Sequence, residues 1–185
     1  MIIFVCGMSG SGKDSVCSEL LKRNPDIHRM IQYTTRPMRD GEVDGVNYCF
    51  ISDKEYRKMS SNGKFLETRE YFTSAGIWRY STPKDYDKDL NYLLWGPDFM
   101  YSNIRCFDDN VKGILLKVKP IERLNRMLMR GKDDANVIES CRRLYSDEKD
   151  FADCNESNYD LIIDNSEISM EECVEKIERY IKGLS

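Results

Sequence analysis

The chain has 185 residues, which is enough for one α/β domain with a hydrophobic core but hardly enough for two. Hydrophobic residues make up 41% of it, a value typical of globular proteins, so the composition argues against intrinsic disorder. The net charge of −4 argues against broad electrostatic binding to nucleic acid or to an anionic membrane, so any anionic ligand must be held by a local basic cluster.

The first predicted elements are a buried strand and an amphipathic helix. Five consecutive apolar residues, Ile2–Cys6, predict the strand. Apolar residues at helical spacing predict a helix over Lys13–Arg23, which the pair Asn24-Pro25 ends. A short strand is expected over Met30–Tyr33. The segment Thr34–Asp89 mixes charges, glycines and aromatics with little periodicity, and we expect small strands and turns there rather than core.

Regular strand and helix signals return in the second half of the chain. Three apolar runs predict buried strands over Tyr92–Trp95, Ile114–Val118 and Tyr159–Ile163. Helical spacing of apolar residues predicts one helix over Ile121–Leu128 and a last one over Met170–Ile181. This alternation predicts an α/β fold with a parallel sheet that is covered by helices on both faces.

Targeting signals and metal-site signals are absent from the sequence. No apolar segment could cross a bilayer, and the apolar run at the start has no basic stretch before it, so we expect a cytoplasmic protein. The seven cysteines include no C-x-x-C pair, and we expect reduced thiols that mostly fill the core. With His28 as the single histidine, a zinc site or a histidine-dependent nucleophile is not expected.

A glycine-rich loop joins the first predicted strand to the first helix. Gly7–Lys13 has the spacing G-x-x-x-x-G-K in the strand–loop–helix context of a phosphate-binding loop. Its glycines would let backbone N–H groups approach phosphate oxygens, and the helix start adds the positive end of its dipole. Lys13 would reach the β- and γ-phosphates as a point charge. The predicted ATP phosphate-binding residues are Gly7, Ser9, Gly10, Ser11, Gly12, Lys13, Asp14 and Ser15.

The residue after Lys13 departs from the usual pattern. A serine or threonine, whose hydroxyl binds Mg²⁺, is usual at this position, and here it is Asp14. A carboxylate is a good ligand for Mg²⁺, but an acidic residue also suits the first turn of a helix, so both interpretations stand. Ser15 is a poor substitute, because one residue turns the side chain by about 100° around the helix.

The next segment resembles the guanylate kinase family. Tyr33–Phe50 reads YTTRPMRDGEVDGVNYCF and is close to the family pattern T-T-R-x-x-R-x-G-E-x-x-G-x-x-Y-x-F. Gly63–Glu67 is similar to its G-x-F-L-E, and Tyr80–Thr82 is similar to its Y-G-[ST]. With the phosphate loop, these motifs run in order through the first half of the chain.

The resemblance implies a nucleoside monophosphate kinase with one domain, residues 1–185, built on a P-loop type of parallel sheet. The core would comprise 1–31, 90–128 and 151–185, with a monophosphate-binding segment at 32–89 and a lid at 129–150. The implied reaction is direct in-line transfer from ATP, with Mg²⁺, to GMP or dGMP. The implied protein is a monomer or homodimer that binds small nucleotides and neither nucleic acid nor membrane.

The resemblance also implies an acceptor site. Arg36 and Arg39 would clamp the acceptor phosphate with guanidinium groups, and Tyr48 and Tyr80 would donate hydrogen bonds to it. Glu67 would accept from N1–H and the exocyclic amine of guanine, a pair of donors that adenine lacks. The implied acceptor-binding residues are Gln32, Arg36, Arg39, Tyr48, Glu67, Tyr80 and Thr82.

The lid is expected to supply further arginines. Arg130 matches the family's lid arginine, with Met129 in place of a glycine, and either Arg142 or Arg143 matches the arginine on the following helix. These groups would neutralise charge on the transferring phosphoryl group, and no general base is needed because the attacking phosphate is an anion. The implied catalytic residues are Lys13, Arg36, Arg130 and Arg142.

Three departures from the family pattern leave the acceptor open. Leu94–Phe99 stands where the family has L-D-I-D-x-Q-G, and Asp98 could replace one of its acids. Gln32 stands in place of a serine that contacts the base, and the segment Thr73–Arg79 is longer than usual. The alternatives are a kinase for another (deoxy)nucleoside monophosphate and a non-catalytic guanylate kinase-like module that binds protein.

Overall fold

The computed structural model describes residues 1–73, 76–129 and 134–184. The strands in these residues are β1 (Ile2–Cys6), β2 (Ile27–Arg29), β3 (Tyr33–Thr34), β4 (Cys49–Phe50), β5 (Phe65–Thr73), β6 (Gly76–Pro83), β7 (Asn91–Gly96), β8 (Val111–Lys117) and β9 (Leu161–Asp164). The α-helices are α1 (Lys13–Arg23), α2 (Asp53–Ser61), α3 (Asp98–Arg105), α4 (Pro120–Leu128), α5 (Asp134–Asp150) and α6 (Met170–Lys182).

A five-stranded parallel sheet forms the centre of the fold, in the order β2-β7-β1-β8-β9. Strand β1 lies in the middle and pairs with β7 on one side and β8 on the other, which is why all five of its residues are buried. Since parallel strands end at one edge, the loops that follow β1 and β7 leave the sheet side by side. Binding sites of open α/β sheets lie at this edge.

Helices cover both faces of the central sheet. On one face, α1 and α6 bury Val16, Leu20 and Val174 against Ile3 and Val5. On the other face, α3 packs against the sheet with three fully buried residues: Met100, Tyr101 and Ile104. The expectation of an α/β fold with a parallel sheet between helices is therefore confirmed.

A second sheet of four strands, in the order β4-β3-β6-β5, comes from the middle of the chain. Its largest part is the antiparallel hairpin of β5 and β6, which is more regular than the small strands and turns that the sequence predicted. Helix α2 was not predicted at all. Its local signal is a capping box, in which the N–H of Glu55 donates to Ser52 Oγ and the N–H of Ser52 donates to the Glu55 carboxylate.

Three expectations from the sequence are wrong in detail. In place of the strand expected over Met30–Tyr33, β2 ends at Arg29 and β3 begins at Tyr33, because these segments join different sheets. Helix α4 forms where it was predicted, but Ile121 is 59% exposed while Arg123 is buried, because Arg123 binds the glycine-rich loop. Of the seven free cysteines only three are buried, namely Cys6, Cys17 and Cys173.

No helix in the described residues combines the length and the hydropathy that are needed to cross a bilayer. His28 lies in β2 with an exposed side chain, and its ring is 6.2 Å from that of Tyr92.

Candidate active site

The phosphate loop, Gly7–Lys13, follows β1 at the carboxyl edge of the central sheet. Gly10 and Gly12 have φ angles of 78° and 88°, in the left-handed region that favours glycine. A Cβ on Gly10 would also lie 2.6 Å from the carbonyl oxygen of Arg123, so α4 leaves no room for a side chain. The loop is therefore closely packed against α4 and has a fixed path.

The start of α1 leaves donors open for an anion. Gly12 is the N-cap and provides no side-chain cap, so the first N–H groups of the helix have no side-chain acceptor. In the residues that the structure describes, Lys13 Nζ forms no hydrogen bond, and the buried Ser11 Oγ has no partner. Uncapped N–H groups beside a lysine are the donors that bind phosphate at a helix N-terminus.

Two side chains hold Ser9 from outside the loop, and neither of them was predicted as part of the site. Arg123 on α4 is 1% exposed and donates from Nε to the carbonyl oxygen of Ser9 at 3.0 Å. Asp147 on α5 accepts from the backbone N–H of Ser9 at 2.6 Å and pairs with Arg123 Nη2 at 2.7 Å. Both polar backbone groups of Ser9 are thus fixed by one ion pair.

Replacing Asp147 with alanine is expected to lower the free energy of unfolding by about 2 kcal/mol, because buried Arg123 loses its main acceptor. The matched control is Glu148→Ala. Glu148 also contacts Arg123, at 3.2 Å, but its side chain is 62% exposed. Its loss should cost less than about 0.5 kcal/mol. Urea denaturation of the two variants measures the difference, and equal effects would contradict the assigned role of Asp147.

An open pocket of about 470 Å³ lies beside the phosphate loop and has the size of a nucleoside site. Asn165 forms part of its wall and donates from Nδ2 to the carbonyl oxygen of Ser11 at 2.9 Å. Arg126 lines the same pocket and donates to the carbonyl oxygen of Asn165 at 2.6 Å. The sequence did not single out these residues as part of a site, because each lies on a separate element far along the chain.

Arg36 is one of the most constrained side chains of the second sheet. It is 4% exposed, and its two terminal nitrogens donate to the two carboxylate oxygens of Glu42 at 2.7 and 2.5 Å. The Arg36 guanidinium lowers the pKa of Glu42 to about 2. Arg36 Nε donates to the hydroxyl oxygen of Tyr80 at 3.1 Å, so the arginine also fixes this phenol. Arg39 has an exposed side chain, and its backbone N–H donates to Glu42.

The two tyrosines of the implied phosphate site lie next to each other. The rings of Tyr48 and Tyr80 meet edge to face with centroids 5.6 Å apart, and the Arg36 guanidinium lies 5.3 Å from the Tyr48 ring centre. Burial raises the pKa of Tyr48, so its hydroxyl remains a hydrogen-bond donor at neutral pH. Both tyrosines line an open pocket of about 380 Å³, which we call the tyrosine pocket; its other residues are Arg69, Tyr71, Thr73 and Trp78.

Glu67, Thr82 and Gln32 form a buried hydrogen-bonded chain. The hydroxyl of Thr82 donates to Glu67 Oε1 at 2.6 Å, and Gln32 Nε2 donates to the hydroxyl oxygen of Thr82 at 2.9 Å. The second oxygen of the carboxylate, Glu67 Oε2, is buried without a hydrogen bond from any described residue. Burial raises the pKa of Glu67. A buried carboxylate with a free acceptor is suited to a ligand that presents N–H groups.

Asp14, the candidate metal ligand, and Asp98, the candidate replacement for a family acid, lie at the carboxyl edge but accept hydrogen bonds from other side chains. Asp14 Oδ1 accepts from the indole N–H of Trp95 at 2.9 Å, and Asp98 accepts from the hydroxyl of Tyr159 at 2.6 Å. Asp14 is exposed, and its second carboxylate oxygen accepts no hydrogen bond from the described residues. Across the described ranges no three His, Cys, Asp or Glu residues group into a metal site.

The lid arginines that the structure describes form hydrogen bonds with their own helix and none with the phosphate loop. Arg130 lies outside the described residues. Arg142 and Arg143 both bind Glu139 on the same helix, with Nε–O distances of 2.7 and 2.8 Å, and these arginines lower the pKa of Glu139 to about 2. The geometry therefore does not distinguish Arg142 from Arg143.

Comparisons with known proteins agree with the motifs. The sequence model of the family described as guanylate kinase matches residues 1–85. A guanylate kinase from Rickettsia prowazekii is 34% identical over 177 residues, covering 91% of this chain and 85% of that protein. One from Clostridium perfringens strain 13 is 31% identical over 185 residues, covering 98% of this chain and 82% of that protein.

The fold is also similar to a solved structure. The crystal structure of guanylate kinase from Anaplasma phagocytophilum superposes with a TM-score of 0.67 at 22% identity, covering 98% of this chain and 85% of that one. At this identity the structural similarity supports the fold alone. The sequence matches that cover most of both chains establish the family relationship. The chain therefore belongs to the guanylate kinase family.

Proposed function

We propose that this chain transfers the γ-phosphoryl group of ATP to GMP or dGMP. The observation that carries the proposal is the buried Glu67 carboxylate, which has one free oxygen and a fixed partner in Thr82. Guanine presents N1–H and an exocyclic amine on one edge, and both can donate to a carboxylate. The relatives that match most of the chain are named guanylate kinases, which supports the same acceptor.

Most of the rate acceleration would come from positioning of the substrates and stabilisation of charge. The N–H groups at the start of α1 and Lys13 would bind the β- and γ-phosphates of ATP, while Tyr48, Tyr80 and Arg36 would hold the acceptor phosphate. The acceptor oxygen is already an anion, so it attacks the γ-phosphorus in line without losing a proton to the protein. This agrees with a chain that has a single, exposed histidine.

Mg²⁺ and the lid complete the proposal. The free oxygen of Asp14 is a suitable donor for Mg²⁺, directly or through water, and the ion would neutralise phosphate charge when it is bound. Segments 32–89 and 129–150 would close over the two nucleotides, and Arg130 with Arg142 would then reach the transferring group. Closure would exclude water, which otherwise could accept the phosphoryl group.

A panel assay tests the function and separates it from the alternatives. ADP formation from ATP and Mg²⁺ would be measured with ribo- and deoxynucleoside monophosphates of every base. We expect turnover with GMP or dGMP. Turnover with another monophosphate would keep the kinase and reject the guanine site, a result that the altered segment Leu94–Phe99 would then explain. No turnover with any acceptor would reject the enzyme and favour a binding module.

A further inference from the structure

Arg69 occupies the ligand-facing side of the second sheet. In the β5–β6 hairpin, Glu67 pairs with Thr82 and Arg69 pairs with Tyr80. Since alternate residues of a strand share a face, Arg69 lies on the same side as Glu67 and directly opposite Tyr80. Its guanidinium carbon is 5.7 Å from the centre of the Tyr80 ring. The arginine therefore lies between the implied base site and the tyrosine pocket.

The guanidinium of Arg69 lacks hydrogen-bond partners within the described ranges for two of its nitrogens. Its side chain is 11% exposed, and Nε lies 3.5 Å from Glu67 Oε2 without forming a hydrogen bond. Nε and Nη2 are both buried and have no hydrogen-bond partner among the described residues. Buried charged donors are normally paired, and an unpaired set at a pocket wall indicates an acceptor that arrives with a ligand.

The neighbouring Arg36 already has hydrogen-bond partners for all three of its side-chain nitrogens. Arg36 commits Nε to Tyr80, Nη1 to Glu42 and to the carbonyl oxygen of Pro37, and Nη2 again to Glu42. Its charge is thus largely balanced by Glu42. Arg69 has only a long contact with Glu67, so its guanidinium can turn into the tyrosine pocket without breaking a hydrogen bond.

The tyrosine pocket has the donors of an anion site. The Tyr80 oxygen accepts from Arg36, so its own O–H is available to donate, and the Tyr48 hydroxyl forms no hydrogen bond within the described part of the chain. Arg69 lines the same pocket. Two hydroxyl donors and a guanidinium whose Nε and Nη2 form no hydrogen bond with the described residues match the oxygens of a phosphate monoester, for which a guanidinium fork is well shaped.

We propose that Arg69 binds the 5′-phosphate of the acceptor nucleotide in the tyrosine pocket, together with Tyr48 and Tyr80. The inference rests on the proposed function, since it assumes a nucleoside monophosphate as the ligand. It adds a third arginine, on the β5–β6 hairpin, to the two that the motif on 33–50 supplies. The base itself is the competing target, because Glu67 is close.

The test is direct binding measured by calorimetry with Arg69→Met, which keeps an unbranched apolar stem and removes the guanidinium and its charge. The ligands are GMP and guanosine, which share the base and ribose and differ in the phosphate. The matched control is Arg57→Met on α2, whose side chain is 73% exposed. We expect Arg69→Met to weaken GMP binding by about 10- to 100-fold. Guanosine binding should weaken much less than GMP binding, because only the ion pair of Arg69 with Glu67 connects it to the base site, and Arg57→Met should change neither.

A second variant and a second measurement distinguish the loss of a phosphate contact from a folding defect. Arg69→Lys keeps a point charge and should recover part of the lost GMP affinity, while the KM for ATP should be the same in all variants. Equal weakening of GMP and guanosine would assign Arg69 to the base and overturn the proposal. Unchanged GMP binding in Arg69→Met would also overturn it.

The outcome can be told apart from a failure of the proposed function. Binding is read without turnover, so a catalytically inactive chain still reports on Arg69. If the panel assay selects a different monophosphate, that nucleotide and its nucleoside replace GMP and guanosine as the probes. The expected phosphate-dependent loss in Arg69→Met is then the same.

Discussion

Replacing Lys13 with methionine is expected to lower kcat for phosphoryl transfer by about 10²- to 10³-fold. Lys13 stands at the first position of α1, at the end of a loop whose glycines and open N–H groups suit phosphate. Charge moves toward the β–γ bridge of ATP during transfer, and the ammonium group would stabilise it more in the transition state than in the bound substrate. The KM for GMP should change much less, because the acceptor site lies on the second sheet.

The control for this variant is Lys22→Met on the same helix, whose side chain is 71% exposed. Both variants should keep the melting temperature of the original protein, since Lys13 Nζ makes no hydrogen bond to any described residue. Steady-state rates with ATP and GMP, together with thermal unfolding, provide the measurements. If the Lys13 variant were as active as the Lys22 variant, the loop would not be the site of phosphoryl transfer.

Local signals in the sequence predicted the parts of the fold that depend on neighbouring residues. Strand β1 and helix α1 have the expected bounds, because a continuous apolar run and a glycine-to-lysine loop leave few alternatives. The hairpin of β5 and β6 was less visible, since neither strand shows a regular alternation of apolar and polar residues. Helix α2 has few apolar residues, and only its capping box marks it.

The contacts that hold the site together could not be predicted from the sequence. Asp147 binds Ser9 across 138 residues, and no spacing rule connects the two. Arg123 lies on a charged helix, and its residue type alone would predict a surface position. It is buried because its guanidinium donates to Ser9 and pairs with Asp147. The motif on 33–50 predicted that Arg36 belongs to the site, but not that the Glu42 carboxylate would accept from both of its terminal nitrogens.

Replacing Glu67 with glutamine is expected to lower kcat/KM for GMP by about 10²-fold at neutral pH. Thr82 already donates to one carboxylate oxygen, so the ligand depends on the other, Oε2. In the variant an amide NH₂ can take its place and would face the N–H groups of guanine donor to donor. The KM for ATP should be unchanged. The control is Glu175→Gln, at an exposed position of α6.

The same residue predicts how activity depends on pH. Burial raises the pKa of Glu67 above its ordinary value of 4.5, so the carboxyl gains a proton at a higher pH than an exposed glutamate does. As the pH falls through this raised pKa, the KM for GMP should increase in the original protein. It should stay flat in Glu67→Gln, which is always neutral. A parallel rise in both proteins would assign the effect to another group.

Stability should move in the opposite direction from binding. A raised folded-state pKa means that folding favours the neutral carboxyl, so this part of the stability is present at low pH and is lost as the pH rises through the pKa of Glu67. At neutral pH the glutamine variant keeps that stability, and its melting temperature should equal or exceed that of the original protein. If the variant keeps its melting temperature but loses affinity for GMP, Glu67 serves ligand binding and not stability. A lower melting temperature would instead mean that the carboxylate stabilises the fold.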